Sequence, residues 1–130
     1  NRVFDSSEIF DMPFSGLATS KKKLQQDRAE VKVIVRGLER IRRYIAANRG
    51  EAEAFIKQFL NLNDKEARLS VAQMVKSFRD TGGTTDEAVM DFIDTTLRST
   101  KQKAGAIKPG DIVDWSVTTE VVRDLDKEKK

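Results

Sequence analysis

The chain has 130 residues, enough for one ordinary domain with its own core. It has no Cys and no His, which removes disulfides, thiolate chemistry, Cys-based metal centres and the usual neutral-pH acid–base group. Hydrophobic residues make up 38% and charged residues 35%, too apolar for a disordered chain, and no run approaches the length of a membrane span. The formal charge of +3 is unevenly spread. Residues 20–49 hold ten basic residues against three acidic, a balance of +7, and the other hundred sum to −4.

Residues 1–18 mix Val3, Phe4, Ile9, Phe10, Phe14 and Leu17 with turn formers at Asp5, Ser6, Pro13 and Gly16. This pattern predicts short extended pieces, the best strands being Val3–Phe4 and Phe14–Ala18. From Thr19 the pattern is helical. Thr19 or Ser20 caps a turn through Leu24, and Asp27 with Glu30 has the spacing of a capping box that opens a long helix to about Ala47. Val31, Ile34, Leu38, Ile41 and Ile45, widened by Val35, form its apolar stripe. Asn48–Arg49–Gly50 predicts a left-handed stop.

Ala52, Phe55, Ile56, Phe59 and Leu60 mark the next helix, ending before Asn63. Asn63 and Glu66 form a capping box for a helix cored by Ala67, Val71, Met74, Val75 and Phe78 and closed by Gly82–Gly83. Thr84 and Glu87 repeat the device before a helix through Val89, Phe92, Ile93, Thr96 and Leu97 to about Lys103. Pro109 starts a single turn, and Ser116 caps a terminal helix with Val117, Val121, Val122 and Leu125 on its core face. The expected fold is therefore mainly α, with four to six helices and one or two short N-terminal strands. An extended return or hinge segment covers residues 1–18, a helical region 19–126 and a polar tail 127–130.

Four features bear on function. Arg28, Lys32, Arg36 and Arg40 recur every fourth residue, so they line one face of the long helix and form a row that could meet phosphates. Without interleaved aromatics or a nucleic-acid motif, the row reads first as a solvated face. Asp86, Glu87, Asp91 and Asp94 crowd one helix, but no calcium loop accompanies them, and acids favour a helix N-terminus in any case. Trp115 reads as an anchor for the terminal segment. Phe14–Ser15–Gly16 offers a hydroxyl and backbone N–H groups to a small anion, against the simpler reading of a turn. No catalytic constellation stands out, so the expectation is a non-enzyme with no cofactor and no metal.

In chain order the cues FSGLATSKKKL (residues 14–24), VKVIVRGLERIRRYIAANRGEAEAF (31–55), the Gly82–Gly83 turn with TTDEA, and DIVDWSVTTEVVRDL (111–125) resemble a known family. They resemble the C-terminal portion of bacterial ABC-transporter substrate-binding proteins of the nitrate/sulfonate/taurine and thiamine-precursor type. Gly16, Leu17, Ala18 and Thr19 stand where that family ends a strand. Gly37 and Tyr44 hold the middle and end of its long helix, and Asn48–Arg49–Gly50–Glu51–Ala52 stands at its next break. Val113–Asp114–Trp115–Ser116 is similar to its lead into the last helix, whereas Asp27–Arg28 replaces the usual Asn–Pro or His–Pro.

The resemblance implies part of a periplasmic-binding-protein-like α/β fold, whose two lobes close on a small solute and deliver it to a membrane permease. It implies a periplasmic or exported location, a longer parent chain, and ligand contacts at Phe14, Ser15 and Thr19. Sulfonate, nitrate, bicarbonate, aromatic carboxylates and pyrimidine precursors all remain candidate solutes. In a separate fragment the apolar faces would be bare, so an oligomer or swapped arrangement covering Phe4, Phe10, Phe14 and Leu17 is expected. The alternative is a free-standing helical interaction module, with nucleic acid on the Arg28–Lys32–Arg36–Arg40 row as its less favoured partner.

Overall fold

Local capping chemistry divides the chain into helices joined by tight breaks. A computed structural model describes residues 16–78, 85–101 and 107–128. Its elements are α1 (Lys21–Gln26), α2 (Arg28–Ala47), α3 (Arg49–Leu60), α4 (Asp64–Ser77), α5 (Asp86–Ser99), α6 (Pro109–Ile112) and α7 (Ser116–Lys127). The described residues are thus mainly α, with seven helices rather than four to six, and they contain no strand. Gly16–Ala18, the end of one expected strand, is irregular, because no neighbouring strand is present among the described residues to complete a ladder. Val3–Phe4 lies outside them. No described helix is long and apolar enough to cross a membrane.

The caps explain where helices begin. Ser20 Oγ accepts from the Lys23 N–H at 3.0 Å and opens α1. Asn63 and Glu66 form the expected box, the Asn63 side chain accepting from the Glu66 N–H at 3.0 Å and Glu66 accepting from the Asn63 N–H at 2.9 Å.

Other boundaries depart from the sequence reading. Asp27 makes no side-chain cap: its carboxylate and that of Glu30 are both drawn to the Lys23 ammonium, an ion pair that outcompetes a neutral N–H. The expected left-handed stop at Asn48–Arg49–Gly50 is a sharp junction, with Asn48 at φ −121° and α3 starting at Arg49. Left-handed residues stand elsewhere: Asn61, at φ 52° after α3, whose short polar side chain tolerates that region, and Lys101, at φ 55° after α5. Thr85 caps α5, accepting from the Ala88 N–H at 3.2 Å; Thr84 and Gly82–Gly83 lie outside the described residues. α5 stops at Ser99 rather than Lys103, with Thr100 as its C-cap. Ser116 is the first residue of α7 rather than its cap, and its N–H donates to Asp114 Oδ1 at 2.8 Å. Of the expected polar tail, Lys127 is the last residue of α7 and Glu128 its C-cap.

α2 is the organising element. α7 lies along one side of it, and Val117, Val121 and Leu125, one turn apart, are buried against Val31, Val35 and Leu24 of α1. The α3–α4 hairpin packs beside the C-terminal half of α2, and small residues at Ala52 and Ala67 let its two helices approach closely around Val71. α5 approaches α6 and buries Ala88, Val89 and Ile93.

The long apolar stripe read from the sequence is divided by this arrangement. Val31 and Val35 face α7, whereas Ile34, Leu38 and Ile41 remain 48%, 47% and 57% exposed. In α3, Ala52 is buried, but Phe55 and Phe59 stack on one another at 5.6 Å between ring centres and stay in solvent, as does Leu60.

Candidate functional site

The strongest concentration of charge lies along the seam between α2 and α7. Arg28 reaches Ser116 Oγ and Glu120, each at 3.3 Å. Lys32 Nζ lies 2.7 Å from Glu120 and 2.8 Å from Asp124, and Arg36 and Arg40 both bind Glu128. Partners advance together along both helices, so α2 and α7 run side by side in the same direction. The row therefore lines the solvent-exposed edge of an interhelical seam, with Arg28 and Arg40 44% and 61% exposed.

The cations of the ladder lower the titration of the carboxylates they meet. The Lys32 ammonium holds the Glu120 and Asp124 carboxyls below the usual range, and Arg36 does the same for Glu128. Reciprocally, Asp124 and then Glu120 raise Lys32. Pairs this exposed are individually weak, because solvent screens them and long side chains lose freedom. Repeated at one-turn intervals, they fix register and direction.

Beneath the seam is a node that sequence reading passed over. Glu39 is only 5% exposed; Arg42 donates to it through Nε at 2.7 Å and Nη2 at 2.6 Å, and Arg43 Nε donates at 2.9 Å. Burial pushes the Glu39 carboxyl up, but the two guanidinium groups outweigh it and leave the group below its ordinary value. Arg43 continues to Asp126 of α7 at 2.8 Å, and the Arg42 guanidinium lies over the Phe78 ring, 5.8 Å from its centre. One buried carboxylate thereby ties α2 to α7 and to the end of α4. A signal for the ladder was present in the sequence: Glu120, Asp124 and Glu128 recur every fourth residue, the same step as the cations. No such periodicity announced Glu39.

The remaining candidates are scattered. Thr19 is exposed just before the Ser20 cap, while Phe14 and Ser15 lie outside the described residues. Asp86 and Glu87 occupy the first turn of α5, and among the described residues no group of three or more acidic side chains is placed to hold a metal. Trp115 is half-buried at the start of α7; its carbonyl accepts from the Thr119 N–H at 2.9 Å, and its buried Nε1 has no hydrogen-bond partner among the described residues. No family model, curated protein or solved structure matches the chain.

Proposed function

We propose that this chain is the helical C-terminal part of a solute-binding component of an ABC importer, a non-enzymatic protein that captures a small solute and hands it to a membrane permease outside the cytoplasm. The observation that carries the reading is the agreement between the break points of the resemblance and the helix boundaries. The short helix follows Thr19–Ser20, and Gly37 and Tyr44 lie in the middle and last turns of α2. The break falls at Asn48, and Val113–Asp114–Trp115 leads into α7 at Ser116. Those residues come from three separate stretches, so their joint agreement with the helix order is a stronger support than any single one.

Under this reading the helices are scaffold, and the solute contacts fall at Phe14, Ser15 and Thr19 and on parts of the protein beyond this chain. The rival reading, nucleic acid on the basic row, is disfavoured because Arg28, Lys32, Arg36 and Arg40 already face Glu120, Asp124 and Glu128. Phosphate would have to displace carboxylates tethered to the same chain, whose effective concentration is high.

The test begins with the gene. Upstream coding sequence for two further lobes with an export signal, beside permease and ATPase genes, is the expected finding. A start codon immediately before Asn1 with no transporter genes nearby would overturn the reading. The full gene product should then show a rise in melting temperature with one class among sulfonates, nitrate, bicarbonate, aromatic carboxylates and pyrimidine precursors.

A further inference from the structure

α7 is bound at one place. Val117, Val121 and Leu125 rest on Leu24, Val31 and Val35, and Glu120, Asp124, Asp126 and Glu128 meet cations of α2. Among the described residues α7 packs on no helix beyond α1 and α2. The groove that receives it is therefore complete within residues 24–43.

The path from groove to helix is long and loosely held. α4 ends at Ser77, and the next residue, Phe78, lies under the Arg42 guanidinium near the C-terminal end of α2. α7 begins at Ser116, beside Arg28 at the opposite end of α2. Those two ends are about 20 Å apart along the helix axis. Between them, α5 and α6 lie against each other and against none of α1–α4 or α7. No described contact of α5 or α6 directs α7 to its own α2 rather than to that of a neighbour.

We infer that α7 is an exchangeable element: it docks on α2 of a second copy as it docks on its own, and reciprocal exchange gives a two-fold dimer. This goes beyond the solute-binding reading and does not rest on it. The occupant is fixed by what already fills the groove. Exchange keeps each apolar contact and ion pair of the seam, so dimer and monomer differ only in which chain supplies α7. An unrelated acidic helix would have to match two repeats at once, aliphatic at 117, 121 and 125 and acidic at 120, 124 and 128.

The tether sets the balance between the two forms. A chain's own α7 has an effective concentration on the order of millimolar, so the closed monomer prevails at micromolar protein and the exchanged dimer appears near millimolar. Only local opening is needed for exchange. Three aliphatic side chains and solvent-screened ion pairs hold α7, far less than the whole core.

Charge reversal tests the exchange. One full chain carries Lys32→Glu and Arg36→Glu, and a second carries Glu120→Lys, Asp124→Lys and Glu128→Lys. Either alone sets like charges across its own seam, whereas exchange in a mixture restores opposite charges in both seams. By sedimentation velocity at about 50 µM, each chain alone should be monomeric, and the equimolar mixture should hold at least about tenfold more dimer. A third chain, with Glu87→Lys, Asp91→Lys and Asp94→Lys, matches the formal charge of the second but keeps the seam. Mixed with the first, it should stay monomeric.

The unaltered chain gives a second reading that depends on no variant. Held near about 1 mM it should contain dimer that returns to monomer on dilution. Circular dichroism confirms that each altered chain stays helical; where one does not, the unaltered chain decides. A monomeric mixture of helical chains, or equal dimer in the control mixture, overturns the inference. So does an unaltered chain without dimer at that concentration.

Discussion

Glu39 and its two arginines show what a single buried carboxylate does in a charge-rich helix. Taken out of water alone, the group would be unfavourable and would hold its proton. Three short N–H donors from Arg42 and Arg43 reverse that, and the same arginines reach Phe78 and Asp126 on other helices. Replacing Glu39 with Gln keeps the size but removes the charge and leaves guanidinium donors short of acceptors. Glu39→Gln is expected to lower unfolding stability by about 1–3 kcal/mol, read from urea titration by circular dichroism. Lys→Gln replacement at the exposed Lys21 should change it by less than about 0.5 kcal/mol. The arginines that hold Glu39 are local, at i+3 and i+4; its role as a tie between helices arises from what those arginines reach at residues 78 and 126.

At the scale of elements, α7 is held to α2 by two different forces. Val117, Val121 and Leu125 give an apolar seam, and Glu120, Asp124 and Glu128 give the charged edge. Leu125→Ala should cost about 2–5 kcal/mol through lost burial and a residual cavity. The edge makes the contact sensitive to acid. The folded-state values of Glu120, Asp124 and Glu128 lie below their ordinary ones, so their contribution is complete above about pH 4–5 and is lost as pH falls through the folded values. Stability should therefore decline with acidification below about pH 4, and more steeply at low salt than at high salt. Trp115 is the sole tryptophan and sits at the start of α7, so its fluorescence reports release of that helix directly. A Glu120→Gln/Asp124→Asn chain should show a flatter acid dependence.

The same elements show which parts of the fold were legible in advance. The order of the helices was readable because caps and stops are local: Ser20, the Asn63–Glu66 box and Pro109 act within one turn of themselves. Asp27 misled because an ion pair to Lys23 competed with its cap, and Asn48–Arg49–Gly50 because two helices abut there. Periodicity located the apolar stripe of α2 but could not say which part of it another helix would take. A stripe and a row of cations look alike whether they face a neighbour or water.

For the whole molecule, the distribution of charge decides what the surface offers. The strongly basic segment 20–49 reads in isolation as a polyanion site, yet α7 folds four carboxylates over it, three on the basic row and Asp126 on Arg43. Affinity for single-stranded DNA or heparin should accordingly be weak at physiological salt and fall further as salt rises, as measured by fluorescence anisotropy. Neutralising the three acids, as Glu120→Gln, Asp124→Asn and Glu128→Gln, should raise it by freeing the row. Tight binding by the unaltered chain would restore the nucleic-acid reading over the transport one.

The sequence by itself determined a mainly helical chain without cysteine or histidine chemistry, the order of its helices with the Ser20 and Asn63–Glu66 caps, and the spacing of its cations and acids. These follow from composition, capping and periodicity, all of which act within a few residues. Only the tertiary structure decided that α7 runs parallel to α2, that the basic row meets acids some ninety residues away, and that Ile34, Leu38 and Ile41 stay bare. Those outcomes depend on which faces meet, a choice made by packing and pairing between distant segments.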